Sequence, residues 1–395
     1  MREMADAVTG PAADPDHLIA LMRDLSPRFR ERAPEAEQLR TLPAESSADL
    51  LQSEIARVLV PRRWGGFELG LDTWFDLVRE VARADASHGW CAGLLIHTAH
   101  MIAYFPEEAQ AAVWADSANV AVTGSVMPVC QVESVDGGYR ISGHSPFSSG
   151  VGHCSWVYVA GMRHGPDGPV WTLFLVAPGE YEVLDTWHTT GMRGTGSNTI
   201  VTADTFVPAG HILALSDLVN GSAPGSDVHE NPMYGLPFIS YAPIGFAGTM
   251  LGAAQGALES FIEWVTGRTT AAHVAMSTLP NVQVRMARAA ADLDAAELLL
   301  QRTIETAQRP ETPSLELRAR GMRDYARSSE LITGAIDTLV ALCGTAGYAE
   351  SSPIQRAWRD IHFASCHISL NPEVNFGHWG ATQLGIERPP TMALY

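Results

Sequence analysis

A chain of 395 residues is long for one core, so two or three packed sub-domains are expected. Its 46% hydrophobic and 18% charged residues are ordinary for a globular protein, and a formal charge of −18 (26 cationic against 44 anionic residues) argues against nucleic-acid or anionic-membrane partners. All 26 basic residues are Arg, which removes Schiff-base, pyridoxal phosphate and P-loop lysine chemistry. No apolar run reaches the roughly 20 residues that span a bilayer, and the polar N-terminus has no signal-peptide core, so a cytoplasmic protein is expected. The five cysteines are scattered without a C-x-x-C, which reads as free thiols rather than a disulfide framework or zinc cluster.

In chain order, residues 17–32 and 46–60 carry apolar side chains at spacings of three and four and predict helices, separated by a break at 61–71 from a further helix at 72–84. Residues 89–104 form another apolar helix, and Pro106 opens a short one through Trp114. From about residue 120 the period changes to six β-branched or alternating runs with turns at Asp136-Gly137-Gly138, Asp167-Gly168 and Pro178-Gly179, which predicts a small barrel or sandwich. Residues 221–237 read as a loop or linker. Three long helices at 247–268, 282–308 and 315–343, with a fourth at 353–367, then predict a four-helix bundle. The expected organisation is α+β, mostly α: an N-terminal helical domain over 1–119, a central β-domain over 120–220 and a C-terminal bundle over 221–395.

His97 and His100 lie three residues apart on an apolar helix and share a face. A metal pair and satisfied core histidines both remain open, although no third ligand stands at a helpful spacing. His367 and His362 close the fourth bundle helix, where an imidazole could serve the helix dipole or a site. No G-x-G-x-x-G follows a strand, so no nicotinamide-binding fingerprint is visible.

The stretch GYAESSPIQRAWRD ending at Asp360 resembles the end of the last bundle helix in the acyl-CoA dehydrogenase superfamily. In the dehydrogenases a catalytic Glu follows; here its place falls near Ile368, beside His367, which resembles the flavin-dependent monooxygenases of that superfamily. Residues 139–150 (YRISGHSPFSSG) are similar to the segment beside the isoalloxazine ring, with Phe147 in the aromatic place, Ser148 next to it, and Ser149 as the hydroxyl on flavin N5. Residues 187–208 (WHTTGMRGTGSNTIVTADTFVP) resemble the Gly-x-Arg-Gly-(Ser/Thr) segment, in which Arg193 would pair with a phosphate or fix the loop. Arg268, and Gly344 with Thr345 in CGTAGY, match cofactor contacts made across a subunit interface, but the Gln-Phe-Gly expected after Arg268 is absent and Thr345 replaces a Gly.

The resemblance implies the oxygenase component of a two-component hydroxylase. Reduced FMN or FAD, supplied by a separate NAD(P)H:flavin reductase, would react with O2 to a C4a-hydroperoxide that hydroxylates a small aromatic substrate, expected to be phenolic. His97, Ser125 and the less well matched His100 would hold the substrate, with His97 favouring its phenolate, and His367, or its rival His362, would assist at C4a. A homotetramer is implied, and no metal. The alternatives are an acyl-CoA dehydrogenase with a relocated base, an N- or S-oxygenase of the same fold, and a flavin- or acyl-CoA-binding protein without activity.

Overall fold

The computed structural model describes residues 14–386; the polar stretch up to residue 13 lies outside the described residues. Five helices come first: α1 (Pro15–Leu39), α2 (Ala44–Gln52), α3 (Leu71–Ala84), α4 (Ala86–Ile102) and α5 (Glu107–Trp114). Helix α1 starts where the Asp14 carboxylate accepts the Asp16 amide and Pro15 occupies the first turn. It runs through Pro27 and Pro34, which is why it outlasts the predicted 17–32. Helix α2 is shorter than predicted, because the chain turns left-handed at Glu54 and continues as a 3-10 turn over Ile55–Arg57. Helix α4 is buried on nearly every face, so it is a core helix rather than an amphipathic one.

Seven strands follow: β1 (Val122–Val135), β2 (Gly138–Ser148), β3 (Trp156–Gly165), β4 (Gly168–Val176), β5 (Glu182–Leu184), β6 (Asn198–Pro208) and β7 (Ile212–Ala214). They form one sheet in the order β5-β6-β2-β1-β3-β4-β7. Strand β1 joins its two wings: the first half pairs with β3 in parallel and the second half with β2 in antiparallel. Ile141, Val157, Phe174 and Ile200 from both wings meet in a small core, which gives the sandwich character expected of this region. Two irregularities matter for function, one between Gly124 and Pro128 and one between Ser145 and Ser148. Such shifts re-aim side chains at a sheet edge. The three-residue β7 and the short α6 (Leu215–Asn220) are too brief for a periodic signal, and neither was expected.

Residues 221–237 are not a free linker. Two 3-10 turns, Pro224–Val228 and Pro232–Gly235, fold this segment against the helices and bury Tyr234, whose hydroxyl donates to the Leu59 carbonyl at 3.2 Å. The C-terminal helices are α7 (Pro243–Thr266), α8 (Pro280–Ala307), α9 (Leu315–Leu342), α10 (Pro353–Ser365) and α11 (Pro372–Gln383). Helices α7 to α10 supply the expected bundle, and the unanticipated α11 packs on α9. The small residues of α7 let α3 approach closely: a Cβ at Gly252 or Gly256 would collide with the Arg79 or Arg83 carbonyl oxygen. This seam locks the N-terminal helices to the bundle. No helix among the described residues is long and apolar enough to cross a membrane.

Candidate active site

A cavity of about 550 Å3 opens where α4, the sheet, the 187–197 loop, the start of α7 and the end of α10 meet. Helix α4 contributes Trp90, Leu94 and His97, which its i, i+4, i+7 spacing places on one face. The β1 irregularity presents Ser125 and Met127, and the end of β2 presents Phe147 and Ser149. Phe246 of α7 and His367 just beyond α10 complete the inner wall.

Ser149 anchors a directed chain of hydroxyls. The Thr195 hydroxyl donates to the Met192 carbonyl at 2.8 Å, so its single proton is spent and it accepts from Ser197 at 2.7 Å. Ser197 in turn accepts from Ser149 at 2.6 Å. Trp90 Nε1–H donates to Ser149 Oγ at 3.2 Å. One lone pair of Ser149 Oγ is left, and Ser149 can therefore only accept from a group in the cavity. Met192 holds the far end: its carbonyl also takes Trp187 Nε1–H at 2.9 Å, and its amide donates to Asp360 at 2.6 Å.

His367 stands across from this chain. Its ring lies 4.3 Å from Phe246 and 5.7 Å, edge-on, from Trp90, measured between centroids. Its edge meets the cavity, yet protein surrounds it, and this burial lowers its pKa to about 4. The Ser369 amide donates to Nδ1 at 3.3 Å, which puts the proton of the neutral ring on Nε2 as a donor. His362, one turn back, faces away and is bound to the Trp358 carbonyl at 2.8 Å and near Asp337 at 3.3 Å. The side chain on the cavity is thus His367.

His97 stacks on Trp74 at 5.6 Å and is ringed by Phe238, Tyr241 and Phe246. Burial, with His367 beside it, brings its pKa to about 4. Its Nδ1 is buried without a hydrogen-bond partner, which leaves Nε2 as the nitrogen for a ligand. A ring of this acidity accepts a hydrogen bond but is a poor base, so the phenolate-favouring role expected of it is not what this environment promotes. His100 does not line the cavity. It packs among Tyr104, Tyr234 and Tyr241, and burial, followed by His97, lowers its pKa to about 3 against the pull of the Met233 backbone.

The remaining predicted residues divide cleanly. Phe147 is 61% exposed at the cavity mouth, holds a left-handed φ of 64°, and meets Trp187 edge-on at 6.3 Å. A strained residue bearing an unburied ring suits a flat ligand. Ser125 lines the cavity, where its hydroxyl accepts the Met127 amide at 3.4 Å. Ser148 does not; it alternates away from Ser149, is buried, and lies 3.5 Å from the Ser145 carbonyl. Arg193 is tied to the Glu37 and Thr189 carbonyls at 3.1 and 3.0 Å, so it fixes the loop. Arg268 is exposed over Trp264, and Gly344 and Thr345 are exposed beyond α9; neither these three nor Arg193 lines the cavity.

The lining suits a flat aromatic ligand: aromatic side chains form its walls, and Ser149 presents a free acceptor to it. One chain does not assemble a phosphate site from the predicted residues. Sequence reasoning missed Trp90, Thr195 and Ser197. Trp90 was legible from its helical spacing to His97, and the two hydroxyls from their places in Gly-Thr-Gly-Ser, read there only for backbone flexibility.

Residues 244–372 match the family described as acyl-CoA dehydrogenase, C-terminal domain. The chain is 38% identical over 353 residues to a pigment production hydroxylase of Rhodococcus sp. (strain ATCC 21145), covering 88% of this chain and 91% of the relative. It is 34% identical over 405 residues to an FADH(2)-dependent resorcinol hydroxylase, oxygenase component, of Rhizobium sp. (strain MTP-10005), covering 98% and 99%. The crystal structure of a 3-HSA hydroxylase from Rhodococcus sp. RHA1 superposes with a TM-score of 0.89 at 32% identity, covering 96% of this chain and 100% of that one. The chain belongs to the flavin-dependent monooxygenases, the hydroxylase oxygenase components built on the acyl-CoA dehydrogenase fold.

Proposed function

We propose that the chain hydroxylates a small phenol, as the oxygenase component of a pair whose separate NAD(P)H:flavin reductase delivers reduced FMN or FAD. The observation that carries this reading is the cavity itself: an acceptor hydroxyl at Ser149, a neutral donor imidazole at His367, a second neutral imidazole at His97, and no carboxylate among the described lining residues. Dehydrogenation needs a base at the substrate α-carbon, and Ile368 with His367 occupies that place.

Reduced flavin, when bound, would supply the oxygen-activating chemistry. Ser149 would accept from the flavin N5–H and hold that proton, whose loss would release hydrogen peroxide unproductively. Trp90, Ser197 and Thr195 keep Ser149 in its accepting orientation. His367 Nε2–H would donate into the cavity towards the bound oxygen. His97 and Ser125 hold the phenolic hydroxyl at the inner end. Arg268, Gly344 and Thr345 reach a neighbouring subunit's cofactor in a homotetramer, a reading supported by the exposed apolar residues Val284, Leu298 and Leu315 on the bundle.

Rapid mixing of the reduced-flavin protein with oxygen tests the proposal. A transient adduct band near the ultraviolet edge, followed by a product carrying one atom of labelled dioxygen, is expected. Dye-coupled desaturation of an acyl-CoA thioester, with no oxygen incorporation, refutes it.

A further inference from the structure

We propose that the cavity selects uncharged phenols and rejects aromatic substrates that carry a carboxylate, an inference that rests on the reading of the cavity as a phenol hydroxylation site. Among the described residues, no Asp, Glu or Arg side chain lines it. Its two imidazoles are neutral at physiological pH, each with a pKa near 4. Burial also raises the pKa of the Tyr158 hydroxyl, which therefore stays protonated. The described lining residues thus carry no formal charge of either sign.

The cations of the surrounding segments are committed elsewhere. Arg193, on the loop that forms one wall, donates to the Glu37 and Thr189 carbonyls. Arg359, on α10, donates to the Thr190 carbonyl and the Glu37 carboxylate, both at 2.6 Å. Arg356 lies 3.6 Å from Asp85 and 4.0 Å from Glu37. The ionisable group that touches the cavity wall from behind is an acid: Asp360 accepts the amide of Met192, a lining residue, at 2.6 Å. A substrate carboxylate would lose its hydration, gain no cation, and stand before a wall backed by a carboxyl group.

A phenolic hydroxyl meets the opposite situation. His97 and Ser125 offer it neutral partners, and the ring lies against Leu94, Phe238 and Phe246. Discrimination therefore comes from a missing cation rather than from a special contact.

A matched pair of probes isolates the charge: 4-hydroxyphenylacetate and its methyl ester. Both are titrated calorimetrically into the full chain loaded with reduced flavin under anaerobic conditions, and oxygen uptake is then measured with each. The ester is expected to bind on the order of 100-fold more tightly than the acid, the scale of leaving a buried charge unpaired. Equal affinity, or tighter binding of the acid, overturns the inference while leaving phenol hydroxylation intact. Failure of both probes to bind, with no substrate-dependent oxygen uptake, overturns the phenol reading and this inference with it.

Discussion

Replacing Ser149 by Ala tests the hydroxyl chain most directly. The substitution deletes an oxygen that receives Trp90 Nε1–H at 3.2 Å and gives its proton to Ser197 at 2.6 Å. It strands the buried Trp90 donor at a cost of about 1–3 kcal/mol in stability. For a chain of this size each kcal/mol lowers the melting temperature by roughly 2–4 °C. The protein should remain folded, slightly less stable. The effect on coupling comes from the acceptor lost at N5–H, worth about 1–1.5 kcal/mol, or roughly a 5- to 10-fold faster unproductive loss of hydrogen peroxide. The assay is the ratio of peroxide to hydroxylated product per reduced flavin consumed, with peroxide read by a peroxidase-coupled dye. Ser197→Ala provides the internal comparison, because it keeps Ser149 in place but frees its proton to rotate. Its leak should lie between those of the native protein and Ser149→Ala. A folded Ser149→Ala protein whose peroxide ratio stays within a factor of about two of native would refute the chain's role, since a lost hydrogen bond of this kind is worth more than that.

His367→Ala should depress oxygen transfer while flavin affinity changes little, and His362→Ala, on a side chain turned away from the cavity, should be silent; equal loss in both variants would count against the assignment. His97→Ala should weaken phenol binding about tenfold, the worth of one buried hydrogen bond, read as a rise in KM; unchanged KM would return His97 to packing alone. With His97 and His367 both at a pKa of about 4, turnover should show no inflection near pH 6.5, and a break there would contradict neutral imidazoles. Asp360 behaves oppositely to a surface acid, because burial, reinforced by Asp85, raises its pKa to about 7. The folded chain then holds this proton longer than the unfolded one, so its contribution to stability is full below about pH 4 and is lost as pH rises through about 7. Asp85 is held below its ordinary value, its burial being outweighed by His88 and Arg356, so its contribution has the opposite sign and is lost only in acid. Asp360→Asn, which can still accept the Met192 amide, should flatten the fall in melting temperature between pH 5 and 8; an unchanged slope would refute the reading.

Much of this fold was legible because its long elements carry strong periods. The change from helical to alternating pattern near residue 120, and back beyond 240, follows from which faces are buried. What escaped the sequence was either short or held by tertiary contact. Strand β7 has three residues and α6 six, too few for a period to register. The segment over 221–237 has a linker's composition, yet Tyr234 is pinned by the Leu59 carbonyl. Helix α1 persists through Pro34, where local propensity alone would have ended it. At the site, Ser149, His97 and His367 could be placed by order along the chain. The partners of Ser149 could not, because Trp90 lies 59 residues before it and Ser197 48 residues after it. Ser148 and His100 show the converse: adjacent to the right residues in sequence, each points to the wrong side of its strand or helix.

The site's parts depend on one another through the neutrality of the cavity. Among the described residues, no lining side chain brings a charge that would hold water in the chamber. Without that charge, burial keeps both imidazoles unprotonated, and an unprotonated His367 can offer Nε2–H without carrying a counter-ion in with it. Neutral walls also leave the Ser149 chain free of competing ions, so its polarity is set wholly by the Met192 carbonyl at one end and the Trp90 N–H at the other. The irregular residues in β1 and β2 aim Ser125 and Phe147 into this space, and the glycine seam between α3 and α7 holds the walls together. A charge introduced at any lining position should therefore disturb proton retention as well as substrate choice, because both rest on the same absence of ions.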